Sequence, residues 1–173
     1  MKKNILGLTQ CTKQEIEKLT LIHYGKTEFL AEKFGTITNR VFIKPSGGLW
    51  TSPIDSEFGW KDWCECENFR SCTTENSFTL KFKPKSKILV IDTLLDLESI
   101  PMVKGPYSFF QHFPNFELIS KCKDAIWLTI NGEHETRLSH PYSLYGWDCE
   151  SVLILNPDCV YQVKNKENFA DKI

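Results

Sequence analysis

Hydrophobic and polar residues follow each other along this chain in short stretches, most of which have the pattern of β-strands. Leu19–Gly25 is apolar and β-branched and closes on a glycine, whereas Ser77–Lys83 alternates apolar and polar positions. Lys87–Asp92 and Ala125–Ile130 are mostly apolar runs of strand length. We therefore expect a strand at each of these places, with the strands at 77–83 and 87–92 lying side by side.

The clearest strand signal comes late in the chain. Ser151–Leu155 is a continuous apolar strand, and an Asn-Pro-Asp turn separates it from a second strand at Cys159–Val163. We expect a hairpin-like pair with Glu150 at its entrance. Earlier, residues 41–53 read as a short strand, a Pro-Ser-Gly-Gly turn and a second extended piece at Leu49–Ser52.

Helices are predicted to be few and short. Thr12 lies three residues before Glu15, the spacing of a capping box that opens a helix. Phe58–Phe69 spaces its tryptophans as one apolar helix face, which favours a place in the core. Asp92 is expected to cap a further helix, and residues 101–117 read as irregular.

The length of 173 residues indicates a single domain spanning residues 1–173, and the mixture of predicted strands and short helices indicates the α/β (α+β) class. Hydrophobic residues make up 41% and charged residues 25%, which is ordinary globular usage. The formal net charge of −1 gives no general attraction to nucleic acid or to an anionic membrane. Seven cysteines without an export signal favour reduced thiols and a cytoplasmic location.

Three residues occur in an order that is typical of one enzyme family. His23 lies at the end of an early strand, Trp50 follows about 27 residues later in a Gly-Leu-aromatic segment, and Glu150 precedes a late strand. Residues 150–160, ESVLILNPDCV, combine this glutamate with an apolar strand, an Asn-Pro turn and a following strand. These features resemble the His-aromatic-Glu class of ADP-ribosyltransferases, which includes poly-ADP-ribose polymerases and diphtheria-type toxins.

The resemblance implies a split β-sandwich of small, mainly antiparallel sheets with peripheral helices, and NAD as substrate. Nicotinamide leaves its ribose through an oxocarbenium-like transition state, which the Glu150 carboxylate would stabilise as the catalytic residue. Trp50 would stack on nicotinamide and hold the leaving group in place. No metal is expected.

The remaining roles also follow from the resemblance. His23 would bind a ribose hydroxyl of the adenosine half, and the backbone near Tyr24 and Gly25 would receive the nicotinamide amide. The pair Thr51–Ser52 would support the pocket, and Asp148 would lie in the loop that meets the acceptor. The acceptor itself, a protein or a nucleic acid, is not specified, although bacterial or phage conflict is a suitable setting.

Other functions stay open at this point. The family usually has Gly directly after its His and Tyr in its second motif, where this chain has Tyr24 and Trp50. A catalytically inactive nucleotide- or protein-binding module and an NAD glycohydrolase are therefore alternatives, followed by a transferase that uses NAD to remove a phosphate from an RNA end. Cys64, Cys66 and Cys72 lack the paired spacing of a zinc site. Cys149 reads as a small packing residue.

Overall fold

The fold is a mixed α+β arrangement around one large sheet. The computed structural model describes residues 1–4, 8–40, 44–105 and 111–163. Residues 41–43, where the first short strand of the segment 41–53 is predicted to begin, and the tail 164–173 lie outside the described residues. Within the described ranges, no helix is long and apolar enough to cross a membrane.

The elements are numbered in chain order. The strands are β1 (Lys2–Lys3), β2 (Thr9–Gln10), β3 (Thr20–Tyr24), β4 (Leu49–Pro53), β5 (Ser77–Phe82), β6 (Ile88–Ile91), β7 (Met102–Lys104), β8 (His112–Pro114), β9 (Ala125–Leu128), β10 (Ser151–Ile154) and β11 (Val160–Val163). The helices are α1 (Lys13–Lys18), α2 (Trp60–Cys66), α3 (Leu94–Glu98), α4 (Phe116–Ile119) and α5 (Ile130–Thr136).

Seven strands form the central sheet in the order β11-β5-β3-β4-β10-β9-β6. Neighbouring strands in it are antiparallel except β6 and β9, so the predicted α+β class and the mainly antiparallel pairing are confirmed. The prediction of separate small central sheets needs correction, because β3 and β4 join the two halves. Their junction is only two residue pairs long, Leu21 with Pro53 and Ile22 with Ser52.

Two predicted strand pairings are wrong. β5 and β6 are not neighbours, since β5 pairs with β3 and β11 while β6 pairs in parallel with β9 at the far edge. β10 and β11 do not pair with each other either, because β10 lies between β4 and β9. The alternation of apolar residues marks the buried face of a strand, but it does not identify the strand's partner.

Helix starts follow the capping chemistry of the sequence. The Thr12 hydroxyl accepts the Glu15 N–H at 3.3 Å, and the Glu15 carboxylate accepts the Thr12 N–H at 2.7 Å, which confirms the predicted capping box. The prediction that Asp92 caps the next helix is wrong. Thr93 occupies that position, because it forms a complete capping box with Asp96.

Two further boundaries differ from the prediction. Thr129 accepts the Gly132 N–H at 3.0 Å and starts α5, so the strand predicted to reach residue 130 ends at Leu128. The segment 101–117, predicted to be irregular, contains the hairpin β7–β8 and the start of α4. Strands of three residues are too short for an apolar period to reveal them.

The central sheet buries side chains on both faces. Alternate residues of β10 belong to different hydrophobic clusters: Leu153 packs in the cluster with Phe116 and Trp147, whereas Val152 packs in the cluster with Phe78. Both faces of this strand are therefore covered, which explains its continuous apolar run. Residues just before β10 are consequently close to the core on either face.

Candidate functional site

A cavity opens where β3 and β4 separate. The pairing between these strands ends at Ile22. His23 and Tyr24 therefore pair with β5 but not with β4. The first residues of β4 pair instead with β10, on the other side. Residues of both strands at this gap line the cavity.

This central cavity has a volume of about 370 Å³, within the usual range for small-molecule sites. It gathers residues from five separate parts of the chain. Its lining residues are Ile22, His23, Tyr24, Lys26, Lys44, Gly48, Leu49, Trp50, Thr51, Ser52, Trp60, Arg70, Trp147, Asp148, Cys149 and Ser151. Of the residues predicted for the site, His23, Tyr24, Trp50, Thr51, Ser52 and Asp148 line it.

His23 is fixed by the backbone of the opposite strand. Its Nδ1 lies 2.8 Å from the carbonyl oxygen of Trp50. Because a carbonyl oxygen only accepts, Nδ1 carries the proton and the neutral ring keeps Nε2 as an acceptor. Burial lowers the pKa of His23, and the nearby charges of Lys26 and Arg70 act in the same direction. The ring is thus suited to accept a hydrogen bond from a ligand hydroxyl.

The end of β3 offers less backbone to a ligand than the resemblance implied. Gly25 has a φ of +107°, a conformation that favours glycine, and directs the chain out of the strand. Its N–H donates to the carbonyl of Asn76 at 2.8 Å, so the N–H is already used within the protein. Burial raises the pKa of Tyr24 to about 12, so this side chain is a neutral phenol.

Two tryptophans form the aromatic wall of the cavity. The rings of Trp50 and Trp147 meet edge to face, with centroids 4.6 Å apart. Gly48 lies two residues before Trp50 and has a φ of +77°. A Cβ placed at position 48 would lie 2.8 Å from the Leu153 side chain. Glycine at position 48 therefore lets β4 lie close against β10, which carries Trp50 to its partner.

Thr51 and Ser52 support the cavity from within the sheet. The Thr51 hydroxyl donates to the carbonyl of Val152 at 2.8 Å, and the Ser52 hydroxyl donates to the carbonyl of Glu150 at 3.0 Å. The Ser52 hydroxyl also accepts the N–H of Trp60 at 3.0 Å, at the start of α2. These two side chains thus connect β4 with β10 and with α2.

Glu150 is placed beside the cavity rather than in its lining. Its neighbours Cys149 and Ser151 line the cavity, and the Glu150 side chain is directed differently, as alternation along an extended segment requires. The residue is 7% exposed. It accepts the Ser56 hydroxyl at 2.7 Å on one oxygen and the Trp127 indole N–H at 2.8 Å on the other.

The surroundings of Glu150 shift the pKa of its carboxyl group upward. Burial raises its pKa, the hydrogen bonds from Ser56 and Trp127 act in the opposite direction, and the negative charges of Asp55 and Glu57 raise it further. A carboxyl group with a raised pKa is typical of functional sites, although structural networks also produce it.

The cavity has an excess of positive charge. Lys26, Lys44 and Arg70 line it, and the one carboxylate among its described lining residues, Asp148, is paired with Arg137 at 3.2 Å. Lys44 lies 5.5 Å from the centre of the Trp50 ring, and Arg70 lies 5.2 Å from the centre of the Trp60 ring. The cavity thus combines flat rings with cations, an arrangement that suits a ligand with rings and phosphates.

The cysteine beside Glu150 is unsuited to nucleophilic chemistry. Burial raises the pKa of Cys149 to about 11, so its thiol stays protonated near neutral pH. Cys64 is also buried, and within the described part of the chain no group of three or more His, Cys, Asp or Glu residues could hold a metal ion.

Several residues of the site escaped the sequence analysis. Trp147 lies directly before the predicted residue Asp148. The sequence signal that could have identified it is an aromatic residue directly after Gly146. Trp60 was assigned to the core, yet it lines the cavity. Lys44 and Arg70 come from distant segments, and only the folded chain brings them to one place.

A second cavity of about 420 Å³ lies next to the first and shares Lys26, Gly48 and Leu49 with it. Phe29 and Phe78 form its aromatic side, and the ring of Phe78 lies 5.0 Å from that of His23. A ligand longer than the central cavity could therefore continue past His23.

Comparisons with known proteins add no relative to this description. The chain matches no protein-family model, no curated protein and no solved structure.

Proposed function

We propose that this chain is an ADP-ribosyltransferase that binds NAD in the central cavity and cleaves its nicotinamide glycosidic bond with the help of Glu150. The observation that carries the proposal is the meeting, at one cavity, of His23, Trp50 and the two residues on either side of Glu150, Cys149 and Ser151. The same three parts of the chain, in the same order, carry the resemblance in sequence to the ADP-ribosyltransferases.

The physical character of the cavity supports a dinucleotide ligand. Trp50 supplies a ring for stacking, His23 supplies an acceptor for a ribose hydroxyl, and the cations of Lys26, Lys44 and Arg70 suit the two phosphates. In the proposed reaction the glycosidic bond between C1 of the ribose and the nicotinamide nitrogen breaks, and nicotinamide leaves with the bonding electrons. The acceptor's nucleophilic atom then bonds to C1 and gives up its proton.

Glu150 would stabilise the positive charge that develops on the ribose, because a nearby carboxylate lowers the energy of an oxocarbenium-like transition state. In the present arrangement both carboxylate oxygens accept hydrogen bonds from Ser56 and Trp127. Because Glu150 lies beside the cavity, the proposed reaction requires one of these contacts to open and the freed oxygen to turn toward the ribose when NAD binds.

A second candidate function follows from that same placement of Glu150. If the carboxylate keeps both of its partners when the ligand is bound, the cavity holds a nucleotide without cleaving it. The chain would then be a catalytically inactive binding module. NAD glycohydrolase activity shares the bond-breaking step with the transferase and differs only in using water as acceptor.

One experiment separates these functions. The purified protein is incubated with NAD labelled in its adenosine half, with and without a bacterial lysate, and nicotinamide, free ADP-ribose and labelled macromolecules are quantified. Transferase activity gives nicotinamide together with labelled macromolecules, whereas glycohydrolase activity gives nicotinamide and free ADP-ribose. Calorimetric binding of NAD with no nicotinamide release supports the inactive module.

The matched variants are Glu150→Gln and Glu17→Gln. Glu17 is an exposed residue of α1, paired with Lys13 on the helix surface, so its substitution should change nothing. We expect Glu150→Gln to lower nicotinamide release by a factor on the order of 10² or more while NAD still binds. Absence of NAD binding to a folded wild-type protein contradicts both candidate functions.

A further inference from the structure

The two partners of Glu150 come from parts of the fold with different rigidity. Trp127 lies in β9, which pairs with β10 on one side and β6 on the other. Ser56 lies in the connection between β4 and α2, outside any strand or helix. A strand held on both sides keeps its side chains in place more firmly than a loop does.

The sheet register explains why the indole reaches the carboxylate. Trp127 is paired with Val152, two residues after Glu150. Residues two apart in an extended segment project to the same face, so Trp127 and Glu150 are diagonal neighbours across β9 and β10. The indole N–H meets one carboxylate oxygen at 2.8 Å.

The loop holds Glu150 through other contacts as well. The Ser56 hydroxyl meets the second carboxylate oxygen at 2.7 Å, and the Glu150 N–H donates to the carbonyl of Phe58 at 3.0 Å. The loop also brings the carboxylates of Asp55 and Glu57 near Glu150. Like charges disfavour the ionised form of Glu150. The loop therefore holds the Glu150 carboxylate by hydrogen bonds and also carries two carboxylates that oppose its ionisation.

We propose that Trp127 is a positioning residue that anchors the Glu150 carboxylate throughout the reaction, and that Ser56 is the exchangeable partner that releases the other oxygen to the bound ribose. This inference rests on the proposed function, since it takes Glu150 to be the catalytic residue. It assigns opposite roles to two hydrogen bonds of nearly equal length.

The first test compares Trp127→Phe with Ser56→Ala in nicotinamide release. We expect Trp127→Phe to lower kcat on the order of tenfold or more with little change in KM, because a carboxylate without its anchor loses its orientation. We expect Ser56→Ala to raise kcat, because the carboxylate oxygen then has no partner to leave before it meets the ribose. Equal losses in the two variants, or a larger loss in Ser56→Ala, would overturn the proposal.

Controls address folding and local chemistry. Ser120→Ala removes a hydroxyl that donates to the carbonyl of Glu117 on the surface, and it should leave kcat unchanged. If Trp127→Phe does not fold, replacing Trp127 by benzothienylalanine keeps the ring's shape and removes only the N–H. The same loss of kcat is expected, and full activity of this variant would contradict an anchoring role.

A spectroscopic test works without any activity. The chain has five tryptophans, and the indole signal missing in Trp127→Phe identifies the one of interest in a ¹H–¹⁵N spectrum. We expect this signal to move with pH as Glu150 titrates, to lose that response in Glu150→Gln, and to persist with NAD. If the signal changes neither with pH nor in Glu150→Gln, the anchoring role of Trp127 is refuted. If the signal responds to pH and to Glu150→Gln but no nicotinamide is released, only the proposed reaction is refuted.

Discussion

At the scale of single residues, the candidate site contains a carboxyl group, that of Glu150, whose buried surroundings disfavour its ionised form. Glu150 is 7% exposed, and burial is the main reason why its pKa is raised. A carboxyl group in this situation stabilises the folded protein when it is protonated. That contribution is present at low pH and is lost as the pH rises through the raised pKa.

Glu150→Gln should therefore fold well and resist heat at least as well as the wild type above neutral pH. The amide keeps the side chain's shape and an oxygen acceptor while removing the buried charge. Thermal melts across a pH series would measure this, and the difference in Tm between variant and wild type should increase as the pH rises. A variant that melts far below the wild type at every pH would mean that Glu150 is mainly structural.

Sequence reasoning found some of these residues because their types are informative on their own. His23 and Trp50 were singled out from strand-end and glycine-turn positions, and the fold brings them within one hydrogen bond of each other. The orientation of Glu150 could not be predicted in the same way. A shift of one residue along an extended segment reverses the face to which a side chain points, and the sequence carries no marker of that shift.

At the scale of elements, the cavity exists because β4 changes its partner along its length. Its first residues pair with β10 and its last two pair with β3. The Gly48 backbone makes the first of these pairings possible, since a side chain at position 48 would meet Leu153 and the carbonyl of Ile154. The geometry of the cavity is thus tied to the conformation of the turn before β4.

Gly48→Ala should consequently destabilise the protein more than Gly25→Ala does. Both positions have a positive φ, which costs about 1–2 kcal/mol for a residue with a Cβ. At position 25 the new Cβ would meet only the Arg70 side chain at an ordinary 3.6 Å, whereas at position 48 it would lie 2.8 Å from Leu153. We expect about 1 kcal/mol or more of additional cost for Gly48→Ala.

Urea unfolding of both variants measures that difference. Equal free energies of unfolding would show that the turn adjusts freely, and the link between Gly48 and the β4–β10 pairing would then fail. The calorimetric affinity for NAD should follow the same order, because Trp50 lies two residues after Gly48.

The strands themselves were largely predictable, and their arrangement was not. Apolar alternation located β5, and runs of apolar residues located β3 and β10, to within about a residue or two, as such patterns do. The neighbours of these strands depend on contacts between distant parts of the chain. The connection from β5 to β6 resembles a hairpin link in sequence, yet Lys83 N–H donates to the carbonyl of Cys159, beside β11.

At the scale of the whole molecule, a chain with a net charge of −1 concentrates positive charge at one cavity. Lys26, Lys44 and Arg70 come from segments that are far apart in sequence. Overall composition predicts no general affinity for polyanions, and it could not reveal that three basic side chains meet at one cavity.

Lys44→Ala and Arg70→Ala should each weaken NAD binding by about two- to fivefold, the effect of removing one partly exposed charge pair. The loss should shrink as salt is added, because exposed charges are screened. Lys121→Ala, at an exposed lysine after α4, is the matched control. Affinities measured by calorimetry at low and high ionic strength test this, and a salt-independent affinity would place the phosphates elsewhere.

The central claim is that the Glu150 carboxylate promotes cleavage of the nicotinamide glycosidic bond of an NAD molecule bound beside it. The most direct measurement is nicotinamide release from NAD by the purified wild-type protein and by Glu150→Gln, made at saturating NAD with binding verified for each. The account predicts release by the wild type and a loss on the order of 10² or more in the variant, with similar affinities. Equal release by both proteins, or none by a wild type that binds NAD, would contradict it.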